Sequence, residues 1–145
     1  MPKIEESVEI KRPVDKVFAY TTDAKNWPMW QSTIPEAEQT SEGAVRVGTT
    51  FRGTIRMIGL SMKWTAIATE YEPNRRFSKN ISSGPVSNGQ HNTYDPLDGG
   101  TKFTIVYDLK VGGFMALFSS IMACSMRKGL KKALGNLKGT LEAQP

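Results

Sequence analysis

The sequence has 145 residues, of which 39% are hydrophobic and 23% charged, and its formal net charge is +5. This length suits one domain with a substantial core, and the apolar content excludes an intrinsically disordered chain. The single cysteine, Cys124, excludes an intramolecular disulfide framework and a zinc site built on several thiolates, and we expect it to be a small buried hydrophobe.

The first predicted element is a strand. Residues 4–10 alternate between apolar and polar side chains, as in a half-buried strand, except that Glu6 falls on the apolar side. A short helix is predicted next, because Pro13 suits the first helical position and Val17 and Phe18 share one stripe. Asp23 can cap a further turn, which we expect Pro28 to end.

Residues 36–111 predict an antiparallel sheet, because alternating runs are separated by short turn motifs. Residues 51–57 and 62–68 form a predicted hairpin with one apolar face, and 77–81 a third strand. A strand follows near 90–95, and its register stays open. The clearest strand places Phe103, Ile105, Tyr107, Leu109 and Val111 inward.

After residue 113 the apolar period becomes helical and predicts one long C-terminal helix starting near Phe114. Its length of roughly 28 residues, or ~42 Å, requires a long surface to pack on, and the sheet provides one. We expect close approach to the sheet, or a bend, to compensate for Gly129, Gly135 and Gly139.

The N-terminus lacks the unbroken apolar stretch of a secretory signal. The most apolar run, residues 114–126, is shorter than the ~20 residues that a membrane span needs. We therefore expect a cytoplasmic protein with a single domain over residues 1–145.

Short motifs distributed along nearly the whole chain carry a family resemblance. In order, they are Val8-Glu9-Ile10 with Arg12 to Phe18, Asp23 with Trp27-Pro28 and Trp30, Val47-Gly48-Thr49, Glu72 to Arg76, Gly100-Thr101, and Leu137-Lys138 with Leu141-Glu142. With this order and spacing, the sequence resembles the START-like (SRPBCC) superfamily, specifically its polyketide cyclase/dehydrase and lipid-transport group. The resemblance implies an α+β helix-grip fold, in which a curved antiparallel sheet wraps around a long C-terminal helix and two short helices follow the first strand.

The resemblance also implies an apolar cavity for a lipid, polyketide, isoprenoid-like or other hydrophobic molecule, without implying one chemistry. Apolar residues on more than one side of the last helix fit a helix that covers such a cavity, although core packing or a dimer interface would also explain them. The predicted ligand-binding residues are Trp30, Phe51, Met57, Trp64, Phe77, Tyr107, Phe114, Leu117, Phe118 and Ile121.

Three side chains are candidates for acid–base catalysis. His91 has a suitable intrinsic pKa, yet its polar neighbours favour an exposed position. A buried Glu6 would need a partner, and the alternative is a residue that reaches water or pairs with a lysine. Tyr107 could orient a ligand through its hydroxyl. No cofactor motif and no clustered metal ligands are found in the sequence, so neither a cofactor nor a metal is expected.

Basic residues on the last helix, among them Lys128, Lys131 and Lys132, would allow weak contact with an anionic membrane, although a solvated face explains them as well. DNA binding is not expected, and both a monomer and a homodimer are compatible with the sequence. The leading hypothesis is a binding or carrier protein for a small hydrophobic ligand. A cyclase/dehydratase-type enzyme using the same cavity is the alternative, and an interaction module using the basic face for protein, RNA or membrane is the third.

Overall fold

The computed structural model describes residues 3–57, 59–84, 86–112 and 117–144. Its first part consists of strand β1 (Lys3–Ile10), helix α1 (Val14–Thr22), a 3-10 turn (Ala24–Asn26) and the short helix α2 (Trp27–Trp30). The remaining elements are strands β2 (Glu36–Gln39), β3 (Thr50–Met57), β4 (Leu60–Glu72), β5 (Arg76–Ser83), β6 (Val86–Leu97) and β7 (Gly100–Val111), followed by helix α3 (Ser119–Glu142).

The strands form one seven-stranded curved sheet in the order β1-β7-β6-β5-β4-β3-β2, and every neighbouring pair is antiparallel. Consecutive strands from β2 to β7 are neighbours, whereas β1 crosses to the far edge and pairs with β7. Asn74 and Gly99 adopt positive φ angles of 63° and 78° in two of the connecting turns. The predicted α+β helix-grip fold is confirmed.

The inner face of the sheet follows the predicted alternation in β4 and β7. Trp64, Ala66 and Ala68 are buried on β4, and Phe103 and Leu109 are buried on β7. The register shifts by one residue between Ala68 and Glu70, which marks a β-bulge near the end of β4. Beyond that point the pairing with β5 continues to the turn.

One end of the inner face is filled by an aromatic cluster, which we define as Phe18, Tyr71, Phe77, Tyr94 and Phe103. Phe18, on α1, lies edge-on to Tyr71 and Tyr94 at centroid distances of 5.4 and 4.9 Å. Tyr94 stacks at a tilt on Phe103 at 5.0 Å, and its hydroxyl lies 2.6 Å from the Thr21 hydroxyl. This cluster holds α1 against the sheet.

Helix α3 is 24 residues long and buries Leu130, Leu134, Leu137 and Leu141. The predicted start of this helix near Phe114 lies outside the described residues. Its C-terminal end is attached to β1 and to the residue that follows β1 by two long-range hydrogen bonds. The Lys138 ammonium donates to the Glu9 carbonyl at 2.7 Å, and the Lys11 amide donates to the Glu142 carboxylate at 2.9 Å.

One local expectation is wrong, and part of a second is not met. Pro28 lies in the first turn of α2 and does not end a helix, because the first turn needs no donor from its nitrogen. The close approach expected at Gly135 and Gly139 is not found, because within the described residues a Cβ there would meet nothing within 4 Å and both glycines lie on the exposed side of α3. A bend of α3 at these glycines stays a prediction. Of the three helix glycines, only Gly129 approaches a neighbour closely, since a Cβ there would lie 3.4 Å from the Thr33 methyl group.

No helix in the described part of the chain is both long and apolar enough to cross a membrane.

Candidate functional site

Lys79 is the most unusual side chain on the inner face of the sheet. Position 79 on β5 has the same parity as Phe77 and Ile81, so the lysine points inward, where it is only 4% exposed. Its ammonium nitrogen lies 3.7 Å from the centroid of the Trp27 ring and 5.5 Å from that of Phe77. A cation over an aromatic face is attracted by the ring, so Trp27 partly compensates for the lost water.

A row of polar side chains crosses the sheet at this level. In the strand register Lys79 lies opposite Gln90, and Gln90 lies opposite Tyr107. Directly opposed side chains share a face of the sheet, with Cβ atoms about 4.5–5.5 Å apart. The same register places Ile4 and Ala68 at the two ends of the row. We call Lys79, Gln90 and Tyr107 the polar row.

The polar row forms one wall of a cavity between the sheet and the N-terminal half of α3. The opposite wall comes from α3, with Met122, Met126, Leu130 and Ala133. Unbranched methionine side chains adapt their shape more readily than branched ones. This wall can therefore adjust to different contents.

The remaining lining is mostly apolar and extends from the segment after α2 across β3, β4 and β5, with Ile34, Ile55, Met62 and Ile81 among its residues. The space free for the centres of water-sized molecules is about 110 Å³. One water needs roughly 10–15 Å³ of such space. The cavity therefore has room for several waters or for part of a small organic molecule.

Trp27 and Trp64 close the cavity beside Lys79. Gly53 lies opposite Trp64 in the register of β3 and β4, and a Cβ on Gly53 would come within 2.6 Å of indole atom Cζ2. A side chain at position 53 would therefore clash with the Trp64 ring, and glycine leaves room for it. The Trp27 indole N–H is satisfied, because it donates to the Thr21 carbonyl at 2.8 Å.

Among the described residues, two polar atoms of the cavity lining are buried without a hydrogen-bond partner, the Trp64 indole nitrogen and the Asn88 side-chain oxygen. Leaving such an atom unpaired costs roughly 1–3 kcal/mol, so native proteins keep few of them. The Trp30 indole nitrogen is also unpaired, but it lies outside the lining. Two residues of the cavity lining thus each carry one buried polar atom without a hydrogen-bond partner among the described residues.

Burial shifts the pKa of both ionisable residues among the described lining residues, Lys79 and Tyr107. Removal from water lowers the pKa of Lys79 to about 7 and raises the pKa of Tyr107 to about 12. At neutral pH a large fraction of Lys79 is therefore an uncharged amine, while Tyr107 keeps its proton. The cavity combines an amine that can accept a proton with a phenol that can donate one.

The structure separates the predicted ligand-binding residues into several groups. Trp64 and Tyr107 line the cavity. Trp30, Phe51 and Phe77 are buried in the core outside the lining, where Phe51 and Phe77 contact each other at a centroid distance of 6.3 Å.

The other predicted ligand-binding residues lie elsewhere. Phe114 and the Met57 side chain are outside the described part of the chain. Leu117 and Phe118, just before α3, and Ile121, in its first turn, are 78%, 41% and 58% exposed, and the lining does not include them.

The remaining catalytic candidates lie away from the cavity. His91 is exposed on the outer face of β6, where its Nδ1 lies 3.1 Å from the hydroxyl of Ser78. Glu6 is half-buried on the inner face of β1, and its carboxylate pairs with Lys131 of α3 at 3.9 Å. Neither side chain lines the cavity.

The basic residues Lys128, Lys131 and Lys132 are exposed on α3. Cys124 is exposed as well, so the expectation that it is buried is wrong. The apolar period of α3 does not distinguish the side facing the sheet from the side facing water at this end of the helix. Within the described ranges, no group of three or more His, Cys, Asp or Glu side chains is placed to hold a metal ion.

Sequence reasoning missed Lys79, Gln90 and Asn88. The pattern that reveals Lys79 is its parity, since it lies between Phe77 and Ile81 on the same face of one strand. Asn88 and Gln90 likewise share the parity of Tyr94 on β6. A polar residue on the inward parity of a buried strand indicates a functional site more directly than a histidine among polar neighbours.

Solved structures with the same fold include a protein from Thermus thermophilus, with a TM-score of 0.84 and 16% identity over 99% of this chain and 100% of the other. The Zhui aromatase/cyclase from Streptomyces sp. R1128 has a TM-score of 0.83 and 15% identity over 97% and 93% of the two chains. A START superfamily protein from Mycobacterium smegmatis has a TM-score of 0.80 and 15% identity over 96% and 98%. At these identities, the likeness shows the fold alone.

A comparison with curated proteins finds no match. The model of one family, described as polyketide cyclase / dehydrase and lipid transport, matches residues 1–142. This match covers nearly the whole chain, and the helix-grip architecture agrees with it. The chain therefore belongs to the polyketide cyclase/dehydrase and lipid transport family.

Proposed function

We propose that this protein binds a small, largely apolar molecule with one polar end in the cavity between the sheet and α3. Membership in the family supports ligand binding or cyclase-type activity in general. The apolar lining supports the apolar character of the ligand, because burial of apolar surface drives such binding. Met122 and Met126 allow the α3 wall to adapt to it.

One observation carries the proposal of a polar end. The Trp64 donor and the Asn88 acceptor have no partners among the described residues of a mostly apolar lining, and the polar row belongs to the same lining. A ligand group that both accepts and donates, such as a hydroxyl or an enol, would be able to pair with either of these atoms. The apolar part of the ligand would then extend toward α3.

The test is titration with N-phenyl-1-naphthylamine, a neutral apolar dye whose fluorescence rises on transfer out of water. Ala133 is buried and lines the cavity, so Ala133→Phe should fill the space and weaken dye binding at least about tenfold, or ~1.4 kcal/mol. Thr140→Phe is the matched control, because residue 140 is exposed on the same helix. Equal dye affinity in the two variants, with intact circular dichroism, would contradict the cavity as binding site.

Native mass spectrometry of the purified protein, followed by solvent extraction, identifies a natural ligand directly. We expect an adduct that Ala133→Phe loses and Thr140→Phe retains. An adduct that survives Ala133→Phe would place the ligand somewhere other than the cavity.

The polar row favours a second candidate function, a cyclase-type enzyme acting in the same cavity. Lys79 and Tyr107 are the ionisable side chains among the described lining, so they replace His91 and Glu6 as candidate acid–base groups. In that case Lys79→Met and Tyr107→Phe would lower turnover of the extracted molecule, while His91→Ala would leave it unchanged. Binding without turnover in the parent protein would exclude this candidate.

A further inference from the structure

Lys79 faces the cavity without an opposite charge to hold its proton. No hydrogen bond or ion pair to its nitrogen exists within residues 3–57, 59–84, 86–112 and 117–144, and its close neighbours are the rings of Trp27 and Phe77. A lysine that served only to support the fold would be expected to reach water or a carboxylate, because an unpaired buried ammonium is costly. This placement therefore lowers the stability of the fold. We take that cost as an indication that the amine has a function.

The described groups around Lys79 do not stabilise its protonated, charged form. Across β4 it faces Ala68, and across β6 it faces Gln90, which is neutral. The described residues of α3 that line the cavity are uncharged, its cations Arg127, Lys128, Lys131 and Lys132 are exposed, and Lys138 is bonded to Glu9 and Glu142. Glu6, on the same face of the sheet but three strands away, is paired with Lys131.

An amine in this environment is a nucleophile at neutral pH. Desolvation lowers the pKa of Lys79 to about 7. An exposed lysine, with a pKa of about 10.4, is almost entirely protonated there, so the free-amine fraction of Lys79 is greater by about a hundredfold or more. Amines desolvated in an apolar pocket are the ones that attack carbonyl compounds.

We propose that Lys79 captures a hydrophobic aldehyde or ketone in the cavity as an imine. This inference rests on the proposed function, because the carbonyl compound must enter the same cavity. It adds a covalent step, because the amine reacts with a carbonyl carbon. It also adds a substrate class, because the mostly apolar lining requires the rest of the substrate to be apolar.

The chemistry balances without an oxidant or a reductant. The Lys79 lone pair forms the C–N bond as the carbonyl π bond opens, and the oxygen takes a proton to give a carbinolamine. The C–O bond then breaks, the oxygen leaves as water with the second amine proton, and a C=N bond remains. Tyr107 lies in the polar row and is protonated at neutral pH, so it is the candidate proton donor for the loss of water.

The test uses decanal as probe and sodium cyanoborohydride to convert any imine into a stable secondary amine. At about pH 7.5, intact mass and peptide mapping should show one alkylation, at Lys79, at least about tenfold faster than at any exposed lysine. Lys79→Arg keeps a cation but removes the nucleophile, and it should abolish the fast alkylation. Lys132→Arg is the matched control on the exposed face of α3 and should leave it intact.

The pH profile adds a readout that mere accessibility would not give. Alkylation of Lys79 should level off above about pH 7, whereas that of exposed lysines should keep rising toward about pH 10. Glycolaldehyde, a small polar aldehyde, should react with Lys79 at least about tenfold more slowly than decanal, because it buries little apolar surface.

The outcomes separate this inference from the proposed function. If the naphthylamine dye binds the parent protein but not Ala133→Phe, and decanal does not label Lys79 selectively, the imine is overturned while the binding function stands. If neither dye nor decanal enters, both fail. Selective labelling of Lys79 by decanal that the dye suppresses supports both the imine and the binding function. Labelling of Lys79 by glycolaldehyde as fast as by decanal would overturn the hydrophobic substrate class.

Discussion

On the inner face of one sheet, the aromatic cluster beneath α1 and the cavity beneath α3 differ in how buried polar atoms are satisfied. In the cluster, the Tyr94 hydroxyl is bonded to Thr21, whose own oxygen also lies 2.8 Å from the Val17 carbonyl. In the cavity, Trp64 and Asn88 keep atoms that are unpaired, and Lys79 has no counter-charge, within the part of the chain that the structure describes. The cluster contributes stability, whereas the cavity, our proposed binding site, gives some up.

The largest expected effect tests whether the aromatic cluster is packed more tightly than the cavity wall. Phe103 is fully buried in the aromatic cluster, and Phe103→Ala should lower the free energy of unfolding by roughly 3–5 kcal/mol. Met122→Ala removes a side chain that already borders empty space and should cost less than about 2 kcal/mol. Urea denaturation measures both. Equal costs would mean that the cavity wall is packed as tightly as the cluster.

The second prediction is that replacing Lys79 raises the free energy of unfolding, by an amount that depends on pH. The pKa of Lys79 is about 7 in the folded protein and about 10.4 in the unfolded chain, so between these values the unfolded chain binds more protons. The free energy of unfolding therefore rises with pH across this interval, and the full penalty of the lysine is present below it.

Lys79→Met should accordingly raise the free energy of unfolding by roughly 2–4 kcal/mol near pH 6, and the gain should shrink toward about pH 10. Urea denaturation of both proteins at several pH values measures the difference. A gain that does not change with pH would mean that Lys79 keeps its charge in the fold.

The smallest effect compares two tyrosines on the same face. Tyr94→Phe loses the hydrogen bond to Thr21 and should cost about 1 kcal/mol. Tyr107→Phe should cost about 0–0.5 kcal/mol, because its hydroxyl has no protein partner in the part of the chain that the structure describes. The difference between their urea midpoints checks this, and a larger cost for Tyr107 would place its hydroxyl in a hydrogen bond.

The sheet was predictable wherever one face is uniformly apolar. In β4 and β7 the two-residue period assigns the inward side chains correctly, because each of these strands has one apolar and one largely polar face. In β6 the same rule leaves the register open, since Asn88, Gln90 and Asn92 are polar yet point inward. The residues that obscure the pattern are those that give the inner face its polar character.

The cavity was less predictable than the fold that surrounds it. Periodicity shows that the start of α3 is apolar on several sides, but not which side covers the sheet, and Leu117, Phe118 and Ile121 prove to be exposed. Side-chain composition likewise gives no measure of unfilled volume. Residues such as Trp30 and Phe51 fill the core, although they have the same chemical character as the cavity lining.

The order of strands in the sheet has a consequence for synthesis of the chain on the ribosome. Strands β2 to β7 can assemble as successive hairpins, because each pairs with the next. The α3 wall of the cavity is translated only after β7. Until that helix is released, the growing sheet exposes the apolar lining to water, where it can attract chaperones or other nascent chains. Slow translation between β7 and α3 should therefore promote aggregation, and a ligand that binds the incomplete cavity should oppose it.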